Sequence, residues 1–135
     1  MTTLEGASGG GGGGVEIEFD YQAAIVRTFA ANTIYDLAEV TFTLEEGQKA
    51  ILIGAASFNN GDLTGSVLAT LRLTDGTTNY DESGDIGAAL TTIHEHSIYR
   101  QITQAGRYTF KLQGSANMAA RGNFWRYRSL LALIV

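Results

Sequence analysis

Val15-Glu16-Ile17-Glu18-Phe19-Asp20-Tyr21 alternates strictly between apolar and acidic side chains. Successive side chains of an extended strand point to opposite faces, so this period of two predicts a strand with one buried and one wet face, the apolar set inward. The pattern recurs along the rest of the chain. Ala38, Val40, Phe42 and Leu44 alternate with Glu39, Thr41 and Thr43, then Glu46-Gly47-Gln48 reads as a turn, and Lys49 to Phe58 is a nearly continuous apolar strand. Asn59-Asn60-Gly61-Asp62 closes that strand as a loop. Val67, Ala69, Leu71 and Leu73 share a face up to the turn chemistry of Asp75-Gly76. Ile93 to Thr103, Arg107 to Gln113 and Asn123 to Val135 complete the set, with Gln104-Ala105-Gly106 turning between the first two. No proline interrupts these segments and none holds a helical period over three turns; Ala23 to Ala31 is the one place for a short helix. Seven or eight short strands with turn signals at near-regular spacing predict an all-β chain, an antiparallel β-sandwich of jelly-roll type.

The 135 residues suit a single core, and 44% hydrophobic against 17% charged residues supply one without a signature of disorder. Two segments are expected: a Gly-rich N-terminal arm over residues 1–14 and the sandwich over residues 15–135. The arm ends in the unbroken run Gly9, Gly10, Gly11, Gly12, Gly13 and Gly14, where backbone ordering costs most entropy. On its own it should be mobile; fully extended it reaches roughly 45 Å at about 3.3 Å per residue, far enough to be held by a neighbouring chain in an assembly. Met1-Thr2-Thr3-Leu4-Glu5 lacks the basic and apolar regions of a secretory signal, which predicts synthesis in the cytoplasm without export. The longest apolar run, Leu130 to Val135, is far shorter than the roughly 20 residues that cross a bilayer as a helix. A net charge of −5 argues against nucleic acid and against anionic membranes as partners. The lack of cysteine excludes disulfides, thiolate nucleophiles and cysteine-based zinc sites.

Charge is distributed unevenly. All 14 acidic residues lie at or before Glu95, whereas Arg100, Arg107, Lys111, Arg121, Arg126 and Arg128 follow it. If the first and last strands lie side by side, Glu16, Glu18 and Asp20 face Arg126 and Arg128 across a ladder. Alternatively the basic C-terminal third meets an acidic surface on a neighbouring chain and fixes its register.

Few residues carry chemistry. Gly6-Ala7-Ser8-Gly9-Gly10 matches the pattern of a hydrolase nucleophile elbow but has neither the preceding strand nor the following helix that the elbow needs. His94 and His96, the two histidines, share one face of a strand at i, i+2 spacing; they are metal-capable, yet Glu95 points the other way and no third ligand is evident. On a solvated or interface strand near a symmetry axis they would form a pH-sensitive cluster instead. Asp75 to Asp85 reads as a polar loop with oxygen ligands that suit calcium, without the twelve-residue calcium-loop pattern. Asp81, Glu82 and Asp85 on such a loop are poorly held for a glycosidase pair. Phe124-Trp125-Arg126-Tyr127-Arg128 interleaves rings and cations; alternation puts Trp125 and Tyr127 on one face and Phe124, Arg126 and Arg128 on the other, as core, as a protein interface or as a surface that stacks sugars. The candidate interface residues are therefore Gly9 to Gly14, His94, His96, Trp125, Arg126, Tyr127 and Arg128. No catalytic constellation and no cofactor is expected.

The Gly-rich lead-in, the strand-turn-strand Val40 to Phe58, the Asp75-Gly76 loop, the strand Ala105-Gly106-Arg107-Tyr108-Thr109-Phe110-Lys111-Leu112-Gln113 and the terminal Ser129-Leu130-Leu131-Ala132-Leu133-Ile134-Val135 resemble small jelly-roll domains of tailed-phage virions. These are capsid decoration (cement) proteins and tail-fibre tips, similar in shape to the tumour-necrosis-factor-like trimers. The resemblance spans residues 15–135 and implies a homotrimer without catalysis that docks on neighbouring capsid or tail proteins of a virion. A fibre tip or carbohydrate-binding module, with the Asp75 to Asp85 loop or the Trp125 region holding a glycan, is the alternative.

Overall fold

The computed structural model describes residues 2–5, 15–28, 30–61, 67–82, 86–88, 93–117 and 123–135, with side chains described for all of these but 2–5, 81, 86–88, 93 and 94. Apolar alternation and turn residues divide the described residues into eleven strands. These are β1 (Thr2–Glu5), β2 (Glu16–Gln22), β3 (Val26–Arg27), β4 (Tyr35–Leu44), β5 (Ala50–Asn59), β6 (Val67–Thr74), β7 (Asn79–Glu82), β8 (Ile86–Ala88), β9 (Ile93–Ile102), β10 (Gly106–Ala116) and β11 (Phe124–Ile134). Sheet A has the order β1-β2-β11-β5-β9, with β3 also on β11; sheet B has the order β4-β10-β6-β7, with β8 on β6. Every pairing is antiparallel.

The pairings are nested: β2 with β11, β4 with β10, β5 with β9, β6 with β7 and β8. A long hairpin rolled so that its successive strands alternate between two sheets gives this order, which makes the sandwich a jelly roll. The expected fold class is therefore the one observed. Turn chemistry sits where it was expected. Gly47 (φ +87°) and Gly76 (φ +94°) take the left-handed conformation in the turns after β4 and β6. Asp75 to Thr78 is a tight hairpin rather than the start of a long loop, because β7 already returns at Asn79. Ala23 to Ala31 holds no helix among its described residues; it bends and lays β3 against Phe124 and Trp125.

The core between the sheets is built by the predicted faces of β4, β6 and β10: Val40, Phe42, Leu44, Leu71, Leu73, Phe110 and Leu112 are buried. Trp125 fills its centre, 4.9 Å from the Phe58 ring and edge-on to His96 at 5.8 Å. Its indole crosses directly over Gly114, where a Cβ would lie 2.6 Å from Cε2.

Strand β2 reverses the expected facing. Glu18 and Asp20 are the buried residues, while Val15 and Tyr21 are exposed and Ile17 and Phe19 half-buried. The cause lies across the sandwich at β4, the edge strand of sheet B, whose free side would otherwise bury unpaired backbone groups. Asp20 Oδ2 accepts the Glu39 N–H at 2.8 Å, and Arg128 Nη1 donates to the Leu37 carbonyl at 3.0 Å. Together the two side chains replace a missing strand. Arg128 is buried, and burial pulls its guanidinium below its ordinary range while the charge of Asp20 acts in the opposite sense. Strand β2, which holds the acidic alternation, and the last strand β11 thus do lie side by side. Asp20 meets the charge of Arg128, but Arg126 stands opposite Ser57 of β5 instead of an acid.

Candidate functional site

Because β2 turns its acids inward, its apolar residues join the outer face of sheet A. The register sets Phe19 beside Leu131, Ile53 and Tyr99 in one row across four strands. Ile17, Leu133, Ile51 and Gln101 form the next row, and Tyr21, Ser129, Ala55 and Ser97 the one on the other side. None of these twelve side chains is ionised. Tyr21 is 51% exposed, Ile53 43% and Tyr99 55%, and the leucines of β11 are half-buried between them. Strands β5 and β11 are accordingly apolar on both faces, as strands covered on both sides are.

The outer face of sheet B is the opposite. Thr41 and Thr109 share a hydrogen bond at 3.0 Å, and Lys111 Nζ lies 2.8 Å from Asp36, which also accepts from Gln113. Arg72 in turn donates to Gln113 at 2.9 Å. Asp36 is held below the usual carboxylate range chiefly by the hydrogen bond from Lys111, and Lys111 is raised by the same contact. A depression on this face is lined by Arg72, Glu82, Gln113 and neighbours, and Arg72 and Gln113 are engaged in this network. This face is built for water.

A bulge marks one end of the apolar face. Pairing of β11 with β5 slips between Arg126 and Ser129, and Tyr127 takes φ +52°, a conformation that costs a β-strand residue energy. The slip corrects the alternation expected for residues 124–128. Trp125 and Arg128 both point inward, while Arg126 and Tyr127 both point outward, the guanidinium 4.5 Å from the Tyr127 ring centroid. Two adjoining depressions share Ser57 and Tyr127; Asn59 and Phe124 line one, Glu95 and Ser97 the other.

Of the residues singled out from sequence, then, Arg126 and Tyr127 stand on the surface, and Trp125, Arg128 and His96 are buried. His96 is packed against Trp125 rather than on a solvated face. His94 holds the register position opposite Phe58, and its side chain lies outside the described residues, as do Gly9 to Gly14. Thr2–Glu5, within the arm, pairs with β2 of its own chain. Asp75 uses both carboxylate oxygens locally: Oδ1 accepts the N–H groups of Thr77 and Thr78, and Oδ2 accepts the Tyr80 hydroxyl at 3.0 Å. Those backbone donors hold Asp75 below the usual carboxylate range. Among the described residues no three His, Asp or Glu side chains are grouped as a metal site requires. The sequence pattern alone does not single out the outer rows of sheet A, although it carries their signal: Ile51 and Ile53 with Leu131 and Leu133 are the off-phase apolar residues of β5 and β11.

No protein-family model matches the sequence, and no curated protein is similar to it. Solved structures are similar in fold. The T13 viral particle of infectious bursal disease virus aligns with TM-score 0.60 at 12% identity, covering 88% of this chain and 31% of that one. T=1 particles derived from the same virus align with TM-score 0.61 at 11% identity over the same shares, and the VP2 subviral particle with 0.54 at 13% identity over 90% and 32%. The chain thus spans about a third of the length of these proteins. A family 35 carbohydrate binding module from Clostridium thermocellum aligns with TM-score 0.32 only, too low to bear on the fold. The chain is a jelly roll of the kind found in viral capsid proteins.

Proposed function

We propose that this chain is a structural, non-catalytic component of a virion, a capsid decoration protein that docks as a homotrimer and stabilises the shell. The observation that carries this reading is the contrast between the two outer faces of the sandwich: one is polar and internally paired, the other has three rows of mostly apolar, uncharged side chains across four strands. A protein with one such dry face is built to be part of a larger assembly. The jelly-roll likeness to a viral capsid protein supports the same direction. In this reading the partners are virion proteins of a tailed phage, and the arm, whose Thr2–Glu5 pairs with β2 of its own chain, contacts neighbouring shell subunits through its remaining residues.

The test is co-sedimentation of the purified chain with shells of the virus whose genome carries the sequence. Attachment by the full chain and its loss on deleting residues 1–14, with fold and mass retained, is the expected result. Failure of the full chain to attach overturns the decoration role; attachment without the arm overturns the arm's part in it.

The bulge supports a second reading, a glycan-binding tip. It exposes an aromatic ring beside Arg126, Ser57 and Asn59, at the expense of backbone strain. Saturable binding to a glycan array, lost in Tyr127→Ala, would favour it; an array without hits removes it.

A further inference from the structure

We infer that the outer face of sheet A is covered by a second copy of this chain. The inference rests on the assembly reading above and names its contact surface and partner.

Area is the first argument. Aromatic side chains offer about 150–250 Å² each, so the exposed halves of Tyr21 and Tyr99 with Ile53 and the half-buried aliphatic side chains between them amount to roughly 400–600 Å². Monomers rarely carry an apolar patch beyond about 300–600 Å², and each partner in a standard interface contributes about 800 Å². The face is thus at the upper end of what a lone chain leaves open and makes up the larger part of what one partner contributes to a standard interface.

Charge is the second. Each copy carries −5, so two copies repel, and like charges placed in contact would cost several kcal/mol. The three rows centred on Ile53 and Leu131 contain no ionised side chain, which lets identical surfaces meet without that penalty. These rows hold nothing to attract or select a charged partner, and the charges of this face, Arg126 and Glu95, stand at its bulged end. Tyrosine and branched aliphatic residues with no charge are also the composition of interface centres.

Light scattering on the purified full chain at two concentrations reads the result. The wild type is expected at two or more times 14.4 kDa. Ile53→Lys and Tyr99→Lys place an ammonium on exposed positions of the face and should weaken association about 100-fold or more, the consequence of burying an unpaired charge, with far-UV circular dichroism unchanged. Thr43→Lys, on the outer face of sheet B, should keep the wild-type mass. If either lysine variant fails to fold, Tyr99→Ser removes contact area without adding charge and should still lower the mass. A wild type that stays monomeric at both concentrations overturns the inference and hands the face to residues 6–14 or to another protein; folded variants that retain the wild-type mass overturn it too. An oligomer that does not attach to shells refutes the virion role and leaves this surface standing, whereas a monomer that attaches does the reverse.

Discussion

Replacing Gly114 by alanine tests how tightly the centre of the sandwich is packed. A Cβ on Gly114 would lie 2.6 Å from Trp125 Cε2, 2.7 Å from Nε1 and 2.8 Å from a Leu37 methyl. Carbon atoms in contact sit about 3.5–4.0 Å apart, so the overlap is close to 1 Å on two sides at once. Neither neighbour can step aside easily, because Trp125 and Leu37 are both fully buried. Overpacking of this kind costs about 1–3 kcal/mol, and two rigid contacts place Gly114→Ala at the upper end. With an unfolding entropy of about 2.1 cal/mol/K per residue, 135 residues lose roughly 3–4 °C for each kcal/mol, so the melting temperature should fall by about 7–10 °C. Differential scanning calorimetry measures it directly. The cause is checked by a double-mutant cycle: in a Trp125→Leu background the ring is gone, and the alanine should cost less than half as much. A Gly114→Ala melting point within 1–2 °C of the wild type, or an undiminished cost without the indole, would refute this account of the core.

Three further outcomes are expected. Asp20→Ala leaves Arg128 buried without its neighbouring acid and the Glu39 N–H without an acceptor, and should cost about 3–5 kcal/mol in urea titrations, whereas the joint change Asp20→Asn with Arg128→Met should cost less than the two single changes together. Asp75 has a folded pKa below its ordinary value of 3.8, so its contribution to stability is complete above that value and is lost as pH falls through the folded one; Asp75→Asn should flatten the melting-temperature profile between about pH 2 and 5 and leave pH 7 to 8 without a slope of its own. Tyr127→Gly removes a side chain from a left-handed position and should raise stability by about 1 kcal/mol in the same assay while abolishing any glycan binding, the signature of strain kept for function.

The strands were legible because apolar alternation and glycine turns are local signals: β4, β6 and β10 turn inward the residues that their period of two selects. Facing was legible only where one set of side chains had no reason to be inside. In β2 the period is perfect and the inference from it inverted, since the position needs an acceptor for Glu39 and a neighbour for Arg128 more than it needs Phe19. No residue of β2 reveals that requirement; it belongs to the free edge of β4, some twenty residues away. The bulge at Tyr127 was hidden for a different reason. No glycine or asparagine announces it, and one extra residue was enough to send Arg126 outward and Arg128 into the core. The apolar outer face was in plain view as double-sided strands, but a sandwich core and an exposed contact surface draw on the same residues, and only the register separates them.

The position of β11 has a consequence for how the protein is made. It is the strand between β2 and β5, so these two have no common neighbour until residues 124–134 have left the ribosome. Sheet A therefore cannot close during synthesis of the first 120 residues. For that interval the edges of β2 and β5 are open to any passing strand, and pairing across more than a hundred residues is intrinsically slow. The nascent chain is thus most aggregation-prone in the interval before β11 is available to pair.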